Sequence, residues 1–240
     1  LNTTFTWAQQ VINIESRRYD RLDSGWHGTA EFNLNYLQNQ NKIITAGNKV
    51  DVMYVEGINT YLFINDINFI RVNQKNLDYN TYQHLRYKRT IKPWLHGEAF
   101  AQTQFNQQLG LNFRGLLGAG PRFRLIQNDS FKIFLGTMWM YEYEVENPDK
   151  KQVVTNRLSI YLSFLLVKHG IVNINLLGYY QPDAANAKDY RLLTELRLDF
   201  TITKALAFRF AGTQSFDSAP PPGIPNNFIN LRNAIVYNMP

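Results

Sequence analysis

About twelve short segments of this chain alternate apolar with polar residues, and no apolar run is long enough to form a spanning helix. A helix across a bilayer needs ~20 consecutive apolar residues, whereas a strand needs only a period of two, because successive side chains point to opposite faces. Residues 130–145 show the pattern. Phe131, Ile133, Leu135, Trp139, Tyr141, Tyr143 and Val145 fall on one face, and Lys132, Gly136, Glu142 and Glu144 on the other. One face suits lipid and the other a wet interior, which is the rule of a transmembrane β-barrel.

Beginning at Gly25, strands are predicted over 25–38, 42–56, 59–72, 80–90, 94–106, 109–126, 130–145, 153–168, 170–181, 190–202, 205–217 and 228–239. The connectors sort into two kinds when taken alternately. One set is tight: Glu56-Gly57-Ile58, Ile91-Lys92-Pro93, Gln127-Asn128-Asp129, Lys168-His169-Gly170 and Thr203-Lys204. The other includes the stretches 73–79, 146–152, 182–189 and 218–227. Short turns on one side and longer loops on the other, with an even strand number, are what bacterial barrels show.

The fold class expected is therefore all-β, a transmembrane antiparallel up-and-down barrel of about twelve strands over 25–240, preceded by a segment 1–24. That segment alternates only briefly and then becomes highly charged, and a thirteenth strand would make an odd count. It is expected in the periplasm or inside the barrel, with Arg17 or Arg18 against an inward acid. The third strand alternates poorly, since Leu62 and Ile64 share a parity with Asp66 and Asn68, so a bulge is expected there. A soluble β-sandwich also alternates, but its strands average about five or six residues, and many of these run eleven to sixteen. Aromatics such as Trp26, Tyr54, Trp94 and Tyr180 fall toward segment ends, as interfacial girdles require.

Composition narrows the function. With no cysteine there is neither a disulfide framework nor a thiolate metal site. The chain opens on Leu1-Asn2-Thr3-Thr4 without a basic, then apolar, leader, and is read as numbered from the mature end of an exported protein. Net charge is +6, but the basic residues are scattered one or two to a segment beside acids, so no nucleic-acid partner is expected.

Several strings occur in a fixed order: Asn13-Ile14-Glu15-Ser16-Arg17-Arg18, Gly25-Trp26-His27-Gly28, His84-Leu85-Arg86-Tyr87 and Leu116-Leu117-Gly118-Ala119-Gly120-Pro121-Arg122. In that order and spacing the chain resembles, over about 11–240, the outer-membrane barrels grouped as domain of unknown function 481, the salt-stress-induced outer-membrane proteins. The resemblance implies the outer membrane of a Gram-negative bacterium and no established catalytic activity.

A hydrolase on the outer wall needs a serine and a histidine side by side facing lipid. Here His27, His84 and His96 share the polar face of their strands, His169 lies in a turn, and Ser159 and Ser163 point inward beside Arg157. No histidine spacing suits a metal, so no metal or other cofactor is expected. Gly118-Ala119-Gly120 sits inside an alternating strand and does not lead into a helix, so it is read as room for a bulky neighbour or for the N-terminal segment and not as a phosphate loop.

The residues that carry information are the charges of the inward face. Arg86, Lys88, Arg114, Arg122, Arg124, Arg157, Arg191, Arg197 and Arg209 are expected there with Glu98, Glu142, Glu144, Glu195 and Asp199, joined by Glu31 and Asp51. In a narrow barrel such groups interlock as ion pairs and leave little open channel. Two functions follow as expectations: a non-enzymatic structural or accessory subunit of a larger envelope assembly, or a narrow passive channel for anions or osmolytes, with a lipid-modifying enzyme a more remote third. Expected partners are outer-membrane lipid, lipopolysaccharide and other outer-membrane or surface proteins.

Overall fold

The computed structural model describes residues 23–237 except 74, 108–109, 129, 148, 169–170 and 204–205. The expected position of the segment 1–24, and with it any contact of Arg17 or Arg18, lies outside the described residues but for its last two positions. Twelve strands follow in chain order: β1 Gly25–Gln38, β2 Lys42–Glu56, β3 Asn59–Val72, β4 Lys75–Lys92, β5 Leu95–Asn106, β6 Leu111–Gln127, β7 Phe131–Glu146, β8 Lys151–Lys168, β9 Val172–Pro182, β10 Tyr190–Thr201, β11 Leu206–Asp217 and β12 Asn227–Tyr237. They form one antiparallel up-and-down sheet in the order β1 to β12.

The chain makes two compact units. One holds β1–β5 with the adjoining parts of β6, β7 and β8 up to Arg122 and over Met138–Arg157; the other holds Phe123–Thr137 and the strands from Leu158 onward. In both, period two governs burial. Along β7, Phe134, Met138, Met140, Glu142 and Glu144 are buried while Trp139 and Tyr141 are exposed. Along β8, Arg157, Ser159, Tyr161 and Ser163 are buried and Leu162 is 50% exposed. β1 differs, since every residue from Gly28 to Gln38 is exposed on both of its faces.

One expectation is corrected and another is located more closely. The stretch 73–79 is not a loop: β4 starts at Lys75, and Asn73, in the left-handed region at φ 55°, turns the chain from β3. Its side chain accepts from the Lys42 N–H at 2.9 Å and donates to Asn41 at 2.8 Å, which ties two hairpin ends together. The bulge expected in the third strand, over Thr60–Val72, does not fall at Leu62–Asn68 or against β2, since β2 and β3 stay in continuous register from Glu56↔Asn59 to Ile43↔Val72. The register instead shifts between Ile70 and Arg71 against β4, where Arg71 pairs Asn76 and Leu77 is the extra residue. Leu62 and Ile64 do face inward with Asp66 and Asn68, so this wall is apolar toward the turns and polar toward the loops.

The outward face carries two aromatic belts. Trp26, Tyr54, Tyr61 and Tyr87 run across β1–β4 with ring centroids 4.8, 6.2 and 5.2 Å apart. Phe69, Tyr79 and Phe105 form a second at 6.3 and 5.1 Å. The belts stand eight residues apart on β3 and on β4, roughly 26 Å along the strand at about 3.3 Å per residue. A strand tilt of ~40° brings that to about 20 Å across a bilayer, close to the ~25 Å apolar band of membrane barrels.

Inward glycines are seats for rings. A Cβ on Gly118 would stand 2.3 Å from the Phe100 ring, and one on Gly136 would stand 2.0 Å from Tyr161. Tyr161 cannot simply swing aside, because its other flank packs on Tyr179 at 5.3 Å. Gly136→Ala should therefore cost about 1–3 kcal/mol by overpacking, while Gly178→Ala, with nothing within 4 Å of the new Cβ, should be near neutral. Urea midpoints of the two refolded variants check this.

Candidate functional site: a buried ion-pair lattice on the inward face

In the first unit, strand register sets the charged side chains in layers. Thr60, Lys88 and Glu98 are neighbours across β3–β5; one step toward the loops come Leu62, Arg86 and Phe100; the next step brings Ile64, His84 and Gln102. Tyr82, His84 and Phe100 stack with centroids 6.0 and 5.4 Å apart, and the Arg86 guanidinium lies over the Phe100 ring at 5.6 Å. Arg86 also pairs with Glu98 at 3.3 Å and donates to the Met138 sulfur at 3.2 Å. β4 thus touches β7 across the interior of this unit, three strands away.

Next to it is a bridged set. The Glu142 carboxylate takes the Arg114 Nε at 3.1 Å on one oxygen and the Arg157 Nε at 2.7 Å on the other, and Arg114 also pairs with Glu144. All four side chains are at most 4% exposed. Arg122 is 1% exposed. Burying charges is costly unless each is paired and hydrogen-bonded, and for Arg114, Glu142, Glu144 and Arg157 register explains the pairing: inward arginines of β6 and β8 flank the inward acids of β7. Met53, Leu62, Ile64, Leu116, Met138 and Met140 fill the remaining space.

In the second unit Arg191 pairs with Asp217 at 2.9 Å, both nearly fully buried. Asp217 also accepts the Ala219 N–H at 2.9 Å, and its carbonyl accepts from Asn226 at 2.9 Å, so the pair fastens the 218–226 loop. Asp199 joins Arg197 at 3.0 Å and Arg209 at 2.5 Å, but Arg197 is half exposed. Ser159 accepts from Gln181 at 3.1 Å inside the same wall.

Of the residues expected to line the interior, Arg86, Glu98, Arg114, Arg122, Glu142, Glu144, Arg157 and Arg191 are buried; Lys88, Arg124, Glu195, Asp199 and Arg209 are half-buried; Arg197 is exposed. Glu31 is exposed and stands beside Lys49 in register. Asp217 was not anticipated, and neither were the interior methionines. His96 meets Thr90 at 3.1 Å, and His27 bonds the Asp23 carbonyl at 2.8 Å; His169 lies outside the described residues. Among the described residues no three His, Asp or Glu side chains come together to hold a metal ion.

Long alternating strands, two aromatic belts and an inward face built of ion pairs define a membrane β-barrel of the porin-like kind. The chain belongs to the family described as "Protein of unknown function, DUF481", whose model matches residues 19–238. Among solved structures it is similar to the NanC porin in a rhombohedral crystal form, at 6% identity and a TM-score of 0.50, over 88% of this chain and 99% of that one. At that identity the likeness speaks for the fold alone. No curated protein matches.

Proposed function

We propose that this chain is a non-enzymatic barrel of the bacterial outer membrane whose interior is closed by ion pairs, and that it serves as a structural or accessory component of a larger envelope assembly. The observation that carries the reading is Glu142 held between Arg114 and Arg157, with all three side chains at most 4% exposed. A passage for solutes needs hydrated walls, whereas these groups are satisfied by one another. β1 ends the sheet order with both faces uncovered; in hydrocarbon an unpaired strand edge costs several kcal/mol per group, so closure of the barrel through β1 and β12 is part of the proposal. Its partners would then be lipid, lipopolysaccharide and neighbouring envelope proteins, met by the outer wall and by the loops 183–189 and 218–226.

The second reading, a narrow anion passage, draws on the porin-like fold and on the inward guanidinium groups. Asp217 reduces the cationic excess it depends on. Planar-bilayer recording of the full chain separates the two: the accessory reading expects no steps, or small brief ones with a modest anion preference, and large, steady anion-selective steps would replace it with the channel.

A further inference from the structure

The outward wall of the first unit breaks its own rule at one place. Between the two aromatic belts it should be apolar, yet Asn48, Asn65, Gln83 and Thr103 lie side by side on β2, β3, β4 and β5. Thr103 donates to Gln83 at 2.8 Å, Gln83 to Asn65 at 3.2 Å and Asn65 to Asn48 at 2.6 Å. Register makes the ladder, since Val50, Asn65, Gln83 and Thr103 are direct neighbours and Asn48 is one step along the same face. Asn65 is four residues from both Tyr61 and Phe69, and Gln83 four from both Tyr79 and Tyr87, so the ladder crosses the middle of the membrane band.

Each amide has two N–H donors and a carbonyl with two lone pairs. The ladder uses one N–H of Asn65, one of Gln83 and none of Asn48, which leaves donors aimed at hydrocarbon, where an unmet polar group costs several kcal/mol. Lipid cannot satisfy them: acyl chains carry their polar groups at the headgroup and none at mid-depth. The occupant must therefore be protein, bringing hydrogen-bonding side chains to that depth.

We propose that the occupant is a second copy of this chain. Amides are donor and acceptor at once and carry no charge, so the ladder is complementary to itself. A two-fold axis along the membrane normal keeps every residue at its own depth, and mid-membrane amides then meet their counterparts. Beside the ladder, Phe63, Leu85, Leu117 and Tyr141 wall a groove of ≈ 380 Å³ over Ala101 and Gly115, whose small side chains let a projecting residue of the copy approach closely. The inference deepens the accessory-subunit reading and rests on it only for placing this wall in lipid; conductance tests that reading, and cross-linking tests this one.

The chain has no cysteine, so single substitutions report cleanly. Asn65→Cys and Gln83→Cys, oxidised in native membranes, should each give a covalent species at twice the 28.0 kDa chain mass, while Leu192→Cys, outward on β10, stays monomeric. Read through Ala101→Cys, the pair Asn65→Leu with Gln83→Leu should weaken dimer association roughly tenfold, with heat-modifiable gel mobility showing that the barrel still folds. Ladder variants no more cross-linked than Leu192→Cys, an adduct at any other mass, or undiminished dimer in the leucine pair would each overturn the proposal.

Discussion

Replacing Glu142 with glutamine should destabilise the folded barrel by about 3–5 kcal/mol, the usual result of removing one partner from a buried ion-pair set. Glu142 bridges two buried guanidinium groups, at 3.1 Å to Arg114 and 2.7 Å to Arg157. An amide presents one acceptor where the carboxylate presents two, and carries no charge. Asp199→Asn supplies the contrast, because the arginines it pairs with are 48% and 39% exposed and such pairs contribute at most about 1 kcal/mol. Urea unfolding from lipid vesicles measures both. Equal, small effects would mean that Glu142 stands in water, and the channel reading would then be preferred.

Leu162→Arg should cost about 2–4 kcal/mol, the penalty of a cation at mid-membrane on the lipid face of a barrel, and Ile160→Arg should cost less. Both residues are outward on β8, but their depths differ. Ile160 is in register with Tyr180, which packs against Tyr190 at 5.9 Å in an aromatic cluster, whereas Leu162 is level with Gly178. Folding yields into bilayers across a urea series give the two values. A reversed order would place the membrane band elsewhere on this wall.

Where alternation is strict, fold and burial are both readable from the chain: β7 and β8 bury the residues that their parity assigns. The failures have physical causes. Residues 76–78 fall in the stretch 73–79 read as a connector, and the ladder to β3 draws them into β4, a non-local gain that outweighs the low strand propensity of Asn and Asp. Leu62 and Ile64 looked out of phase because the inward face was assumed polar, whereas this unit packs them with methionines behind the charges. Gly118 was legible as space, but the ring that fills it, Phe100, lies on a neighbouring strand, as does Tyr161, which fills the space at Gly136. The outward amides were hidden for the same reason, since each is a single exception within its own strand and register alone assembles the three of them with Thr103.

The two faces of the wall are tested most directly by lipid-borne quenching. Single cysteines at Leu162, Phe164, Ser159 and Ser163, labelled with a small fluorophore in the refolded chain in vesicles, should divide by parity: strong quenching at 162 and 164 by a quencher carried on the acyl chains, and little at 159 and 163. Equal quenching at all four, or the reverse order, would contradict a membrane barrel with its ion pairs inside.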